Sequence, residues 1–368
     1  FLRTENGQIL GPNDVVLTYA EVAEDAALVG NLTPAALRDP SQWKFLGLGM
    51  PRVDMAAKST GTATYGADIM LDGMKFAAIR MNPKLGGPMI GYDDTAAKNM
   101  AGVEAVISLE GGVAVVATNT WLAQQAVDAI EINWADPPYP PSQDAQISKI
   151  MEAFDRGPDS VLRNDGDALS ATGGTEINAN YVVPWLAQAT MEPMNATALY
   201  SETNLQIWVG NQAPTVIREK VAHAVGLSAD QVDLVTPFMG GGFGRRLEAD
   251  VAIQAALIAK NIPGVRIKLT WSREEDMSHG FYRPAAVARF KGAITDGQIT
   301  SLHGNIAAPS VTDQFAARAV GTNFPVPDKG LLEGAYDQPY AIPNFRIAGH
   351  IAELDVPIGF WRSFGNSH

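Results

Sequence analysis

Four glycines fall within five positions, Gly240-Gly241-Gly242-Phe243-Gly244, between an apolar run at 231–236 and a long apolar stretch at 248–260. A strand, a glycine loop and a helix in succession constrain the chain to an α/β arrangement, because only glycine lets a backbone turn this tightly beside a neighbour. Unpaired N–H groups close to a helix N-terminus favour anions. The dinucleotide pattern GxGxxG is not met, since position 245 is Arg, and no Gly-Lys-Ser/Thr follows to make a P-loop. Taken alone, the loop also reads as a tight turn packing helix on strand.

Short strands and helices alternate around it. Patterning predicts strands over 76–80, 105–109, 113–117 and 129–134, with helices over 95–99 and 120–127. Beyond Asp136-Pro137-Pro138-Tyr139-Pro140-Pro141, a stiff segment read as a linker, it predicts a helix over 148–155 and strands over 177–183, 196–200 and 206–209. A helix over 215–225, a strand over 231–236 and the helix over 248–260 follow. Strands over 266–271 and 285–293 come next, joined by a polar connection. Upstream, Asn6-Gly7 signals a hairpin, 19–29 a helix and 49–58 a loop. The fold class is therefore α/β or α+β with mixed sheets. At 368 residues, with 46% hydrophobic and 18% charged residues, two or more domains are expected.

Composition excludes several functions. A net charge of −13 argues against nucleic-acid binding, which needs clustered Lys and Arg. The chain has no cysteine, so it makes no disulfide and holds no cysteine-ligated iron–sulfur cluster. Its five histidines (His223, His279, His303, His350, His368) show no metal-ligand spacing. A metal here would have to be carried by something other than side chains. Both ends read as cuts in a longer polypeptide: Phe1 lacks an initiator region, and the chain stops in the aromatic segment 360–368.

Two other segments accompany the loop. Val209-Gly210-Asn211-Gln212-Ala213-Pro214-Thr215 puts a Gln where a strand gives way to a helix, and Trp361-Arg362-Ser363-Phe364-Gly365 sets an Arg and aromatics around a Gly. Singly, these read as a surface loop and a core strand. In this order, with GGGFGRRLE at Gly240 to Glu248, MEPMN at Met191 to Asn195 and HGFYRP at His279 to Pro284, the chain resembles the xanthine oxidase family of molybdenum hydroxylases. It is most similar to the branch of the isoquinoline 1-oxidoreductase beta subunit and bacterial membrane-associated aldehyde dehydrogenases.

The resemblance implies a tail and linker at 1–46, an α/β hammerhead domain at 47–136, a proline-rich linker at 137–150 and a first molybdopterin-binding domain at 151–368. It implies a molybdopterin cytosine dinucleotide held without protein ligands to the metal. Gln212 would hydrogen-bond an oxo ligand, while Gly240, Gly241, Gly242, Phe243, Gly244 and Arg245, with Arg362, Phe364 and Gly365, would lie beside the cofactor. Arg245 and Arg246 begin a helix, where cations are unfavourable, so either a cofactor phosphate or a structural salt bridge would answer them. His279 and Tyr282 would face substrate or else serve a structural turn.

The implied reaction is oxidation of an aldehyde or N-heteroaromatic ring with oxygen from water. The alternative is a degenerate member, a hydrolase or binding scaffold without molybdenum. The family's base is a Glu in a Gly-Glu segment absent from these residues, so no catalytic base is assigned; Glu192 and Glu248 do not match its position. Expected partners are a [2Fe–2S] small subunit, the remaining part of the large subunit and a cytochrome c acceptor. The implied location is periplasmic or periplasm-facing at the membrane, with the cytoplasm as the alternative.

Overall fold

The computed structural model describes all residues except Phe1, 31–33, Ala35, Thr172, 324–327, Ser363 and His368. The chain forms two compact units, Phe1–Thr62 and Ala63–His368. The first holds a three-stranded antiparallel sheet, Arg3–Glu5, Gln8–Leu10 and Val16–Thr18. Its first turn is the predicted Asn-Gly hairpin: Asn6 and Gly7 take φ of 49° and 79°, as a two-residue turn matching strand twist requires. The helix predicted over 19–29 shrinks to Ala23–Ala27, and the predicted loop at 49–58 contains the helix Met55–Ser59.

The second unit is built on a seven-stranded mixed sheet. Its strand order is Val232–Val235, Leu205–Trp208, Asn195–Tyr200, Arg266–Thr270, Lys75–Met81, Gly112–Ala117 and Val103–Leu109. Strands from both sides of the proline-rich segment thus share one sheet, joined where Arg266–Thr270 runs parallel to Lys75–Met81. Both faces are covered, which is why 76–79 and 112–117 are continuous apolar runs rather than alternating ones. Ala77, Ile79, Ala114 and Val116 face one core, with Ile207, Leu269, Trp271 and the helices Pro214–Val225 and Asp250–Asn261. Ala78, Val113, Val115 and Ala117 face the other, under the helix Thr120–Asp128.

A five-stranded sheet lies in the same unit, in the order Thr175–Val183, Ala286–Thr295, Gln298–Ala308, Asn344–Ile351 and Ser160–Asp165. Three of these strands, Ser160–Asp165, Gln298–Ala308 and Asn344–Ile351, are additional to the predicted ones. The hairpin linking 286–295 to 298–308 turns on Asp296-Gly297, both at positive φ. Two other corrections concern the connections. The helix predicted over 148–155 starts earlier, as Gln143–Met151 capped by the Ser142 side chain, and continues as a 3-10 turn. The polar connection after 271 contains the helix Arg273–Ser278, capped by Ser272.

Leu269 is fully buried at the centre of the larger sheet. Its replacement by Ala leaves a cavity that neighbouring strands cannot fill, so Leu269→Ala should lower stability by about 2–5 kcal/mol in urea unfolding. A loss below about 1 kcal/mol would contradict the packing described.

Candidate functional site

The strand Leu205–Trp208 is followed by Val209, and Pro214 opens the next helix as its first residue, where a missing N–H costs nothing. Gln212 stands between them. Its backbone N–H donates to the Arg246 carbonyl at 2.9 Å, and its side-chain Oε1 accepts from the Gly244 N–H at 3.2 Å. With Oε1 engaged, the exposed amide nitrogen has no partner among the described residues.

The loop glycines are each required by a different neighbour. A Cβ at Gly240 would lie 2.3 Å from Glu192 Cβ, one at Gly242 would lie 2.6 Å from Gln212 Oε1, and one at Gly244 would lie 2.2 Å from the Phe360 carbonyl. Gly241 and Gly244 take φ of 108° and 99°, and Phe243 itself sits at 55°, an uncommon conformation for a bulky residue. The Phe243 ring is 41% exposed, and its carbonyl accepts from the Arg362 N–H at 2.9 Å. The backbone N–H groups of Gly241, Gly242 and Phe243 find no acceptor among the described residues. The exposed Arg362 side chain has none either.

The two arginines after the loop are buried, each 1% exposed. Arg245 pairs bidentately with Asp250 at 3.0 and 2.6 Å and lies over the Trp271 and Phe281 rings. Burial works against its charge, but the surrounding carboxylates, Asp250 foremost with Glu248 and Asp276, outweigh it and raise its pKa. Arg246 meets Glu192 at 3.1 Å; here burial wins and lowers its pKa despite the carboxylate. Of the two answers the sequence left for these cations, the structure supplies protein carboxylates. Glu248 pairs with Arg318 at 2.7 and 3.1 Å, and burial raises its pKa against that partner. Both carboxylates nearest the loop are therefore engaged in ion pairs. What the loop offers outward is a set of donors without a free carboxylate, a set that suits oxygen atoms of an anionic or oxo-bearing group and not a bare cation.

The remaining predicted site residues lie elsewhere. Gly365 is buried against the turn Lys329–Leu332, where a Cβ would overlap the Gly330 carbonyl. The Phe364 side chain and Ser363 lie outside the described residues. Tyr282 donates to the Met277 and Ser278 carbonyls at 3.0 and 2.9 Å, and burial, with Tyr139 nearby, pushes its pKa up to about 12. His279 is 4% exposed: Nδ1 faces the Glu275 carbonyl at 2.9 Å and carboxylate at 3.1 Å, and Nε2 faces the Asn82 carbonyl at 2.5 Å. Neither ring nitrogen is free. Sequence reasoning assigned no role to Glu192, which touches the loop directly, or to Gln188, whose amide nitrogen donates to the Phe281 and Phe360 carbonyls. The Met-Glu-Pro segment drew attention as a resemblance only, because its ion-pair partner lies 54 residues away.

The fold and loop define a mixed α/β domain whose glycine loop leaves neutral N–H donors without acceptors among the described residues. The profile of the molybdopterin cofactor-binding domain matches residues 153–368. The isoquinoline 1-oxidoreductase subunit beta of Brevundimonas diminuta is 32% identical over 339 residues, 88% of this chain and 41% of that protein. The membrane-bound aldehyde dehydrogenase (pyrroloquinoline-quinone) of Gluconacetobacter polyoxogenes is 28% identical over 85% of this chain and 41% of its own length. Quinoline 2-oxidoreductase from Pseudomonas putida 86 superimposes with a TM-score of 0.66 at 18% identity, over 87% of this chain and 46% of that one, a likeness of fold. The chain belongs to the molybdopterin-binding subunits of the xanthine oxidase family. It spans about two-fifths of the length of the two curated relatives described.

Two outcomes follow from this geometry. Gly244→Ala should cost about 2–4 kcal/mol in urea unfolding, because it meets both a carbonyl and a left-handed backbone, while Gly264→Ala, at φ 82° in open space, should cost only about 1 kcal/mol. Equal costs would contradict the close approach of 360 to the loop. For His279, burial pulls the pKa down, but the Glu275 and Asn82 acceptors outweigh it and raise the pKa above its ordinary value. Facing only acceptors, the ring is favoured in its protonated form by the fold. The stability it contributes is complete below the unfolded-state value of about 6.5 and is lost as pH rises through the folded one. The stability difference between wild type and His279→Gln, measured by urea unfolding across that range, should shrink as pH increases; a constant difference would refute the preference for the protonated form.

Proposed function

We propose that this chain is the cofactor cradle of a molybdenum hydroxylase that oxidises an aldehyde or N-heteroaromatic substrate with oxygen drawn from water. The observation that carries this reading is the Gly244 N–H to Gln212 Oε1 hydrogen bond. It fixes the amide so that its nitrogen is left to donate, beside three loop N–H groups without acceptors. The family membership and the named activities of the relatives, on isoquinoline and on aldehyde, support it. Gln212 would donate to an oxygen on the metal, and the N–H groups of Gly241, Gly242 and Phe243 would hold neighbouring oxygens. The exposed Phe243 ring would exclude water, and Arg362 would meet a phosphate or pterin edge. Arg245 would contribute from behind, by fixing the start of the helix through Asp250. When bound, the molybdopterin supplies the two-electron oxidation; the protein supplies binding, orientation and fixed dipoles.

In this reading residues 47–136 form the hammerhead domain and 151–368 the first molybdopterin-binding domain. The cofactor is the cytosine dinucleotide form, and electrons leave through a [2Fe–2S] subunit towards a cytochrome c. With no cysteine among these 368 residues, no thiolate here can ligate iron, so the cluster would be carried outside them. Because Glu192 and Glu248 are both held in ion pairs, the general base is assigned to the length of the relatives that this chain does not span. A periplasmic location, free or at the membrane surface, is part of the proposal. No helix of the described residues is long and apolar enough to cross a membrane.

Metal and pterin analysis of the purified protein tests the reading. About one molybdenum and one pterin per chain are expected. With the complete subunits present, Gln212→Ala should retain most of the pterin while dye reduction with isoquinoline or an aromatic aldehyde falls about 10²–10³-fold. A protein purified from a host that makes the cofactor, yet free of both molybdenum and pterin, would favour a scaffold without redox chemistry.

A further inference from the structure

We propose that Glu192 is the positioning residue of the glycine loop, and that its contacts, rather than the glycines themselves, hold the loop in the shape that receives the cofactor. This rests on the cofactor-cradle reading above. The carboxylate is 8% exposed, and each oxygen takes two donors. Oε2 accepts from the Gly240 N–H at 2.7 Å and from Arg246 Nη2 at 3.1 Å. Oε1 accepts from the Ala67 N–H at 2.8 Å and from Asn195 Nδ2 at 3.0 Å. The backbone of the same residue closes on the loop again. Its N–H donates to the Gly240 carbonyl at 3.1 Å, and its carbonyl accepts from Arg246 Nη2 at 2.9 Å. Gly240 is thus held at both its N–H and its carbonyl by one residue 48 positions away in sequence.

Arg246 extends the clasp. Its Nε donates to the Gly241 carbonyl at 2.8 Å, and its Nη1 reaches the Gly210 carbonyl at 3.4 Å, two residues before Gln212. The two sides of the proposed cradle, the glycine loop and the strand end that carries Gln212, are therefore joined through one guanidinium that Glu192 neutralises. The contacts at 240 and 241 use both loop carbonyls and one N–H. The N–H groups of Gly241, Gly242 and Phe243 remain for a ligand. A loop held only by its glycines would sample many shapes, since glycine restricts φ least of all residues. A charge-assisted clasp with every lone pair used selects one shape.

Glu192→Gln is nearly isosteric and exposes the role. Whichever way the amide turns, its NH2 faces donors, either Gly240 and Arg246 or Ala67 and Asn195, and the Arg246 charge is left buried without a counter-ion. Hydrogen exchange read by mass spectrometry should quicken about tenfold or more at the loop amides that have acceptors, those of Gly240 and Gly244 within 239–244, with the buried helix at 251–259 unchanged. The double variant Glu192→Met/Arg246→Met removes both charges, so its melting temperature should return towards wild type. Its loop exchange should stay fast, and its pterin content should fall below about a tenth of wild type. The inference is overturned if 239–244 exchanges in Glu192→Gln as in wild type, or if the double variant regains pterin together with its melting temperature. The second result would make the pair ordinary structural ballast. Wild-type protein without pterin would instead sink the cofactor reading, and the positioning role with it, even if the exchange result showed the clasp to be present.

Discussion

The Glu192–Arg246 ion pair is the contact on which the arrangement around the loop depends. Taking two charges out of water costs several kcal/mol per ion, and mutual attraction repays it only when the remaining hydrogen-bonding capacity is also used. Here it is used. Four donors meet the carboxylate, and the guanidinium reaches three backbone carbonyls besides. Such a pair adds little net stability over a well-packed apolar pair of the same volume. What it contributes is discrimination between loop shapes, because any other shape strands a buried charge.

A second buried pair repeats the principle one residue earlier. Arg245 is bound by Asp250, in the first turn of the helix Asp250–Asn261, where a carboxylate complements the partial positive charge of the helix end. The sequence placed two cations at a helix start; in the structure Arg245 and Arg246 lie in a 3-10 turn, Arg245–Leu247, and the α-helix begins only at Asp250, so the conflict does not arise. Arg245 and Arg318 both approach the Phe281 ring, and Arg318 in turn holds Glu248 and the Ile358 carbonyl. The segment 358–362, which passes within a Cβ's width of Gly244, is thus tied to the same set of charges. In a chain with a net charge of −13, the basic residues nearest the loop are mostly turned inward.

The loop, its flanking strand and helix, and the mixed α/β class were all legible from glycine spacing and apolar periodicity. So was the Gln212 position, through Pro214 and the strand that precedes it. The Asn6-Gly7 hairpin followed from turn chemistry alone. Asp296-Gly297 carried the same signal and went unused, which cost the strand Gln298–Ala308. The helix Gln143–Met151 was obscured by the prolines before it, although Ser142 is a good cap. Pairings over long sequence separations were a different matter. Nothing local in Met191–Asn195 says that Glu192 meets residues 67, 240 and 246, and nothing in His279 says that both its nitrogens will face carbonyls. Those facts exist only once the strands have been brought together.

The division of charge around the loop bears on how selective such a cradle can be. A free arginine or lysine would attract phosphate, carboxylate and sulfate alike, because a point charge in water distinguishes anions poorly. Amide N–H groups are weaker donors and depend on direction, so they reward a ligand whose oxygens already match their spacing. For such donors to act, their carrier must be held rigid by something other than the ligand. The buried ions do this from behind the loop, by direct hydrogen bonds to the backbone of Gly240 and Gly241. On the proposed reading, the chain uses buried ion pairs to fix the loop and neutral N–H donors to contact the oxygens around the metal, with Arg362 left for a phosphate or pterin edge. At the loop itself, geometry rather than net charge then decides what is bound.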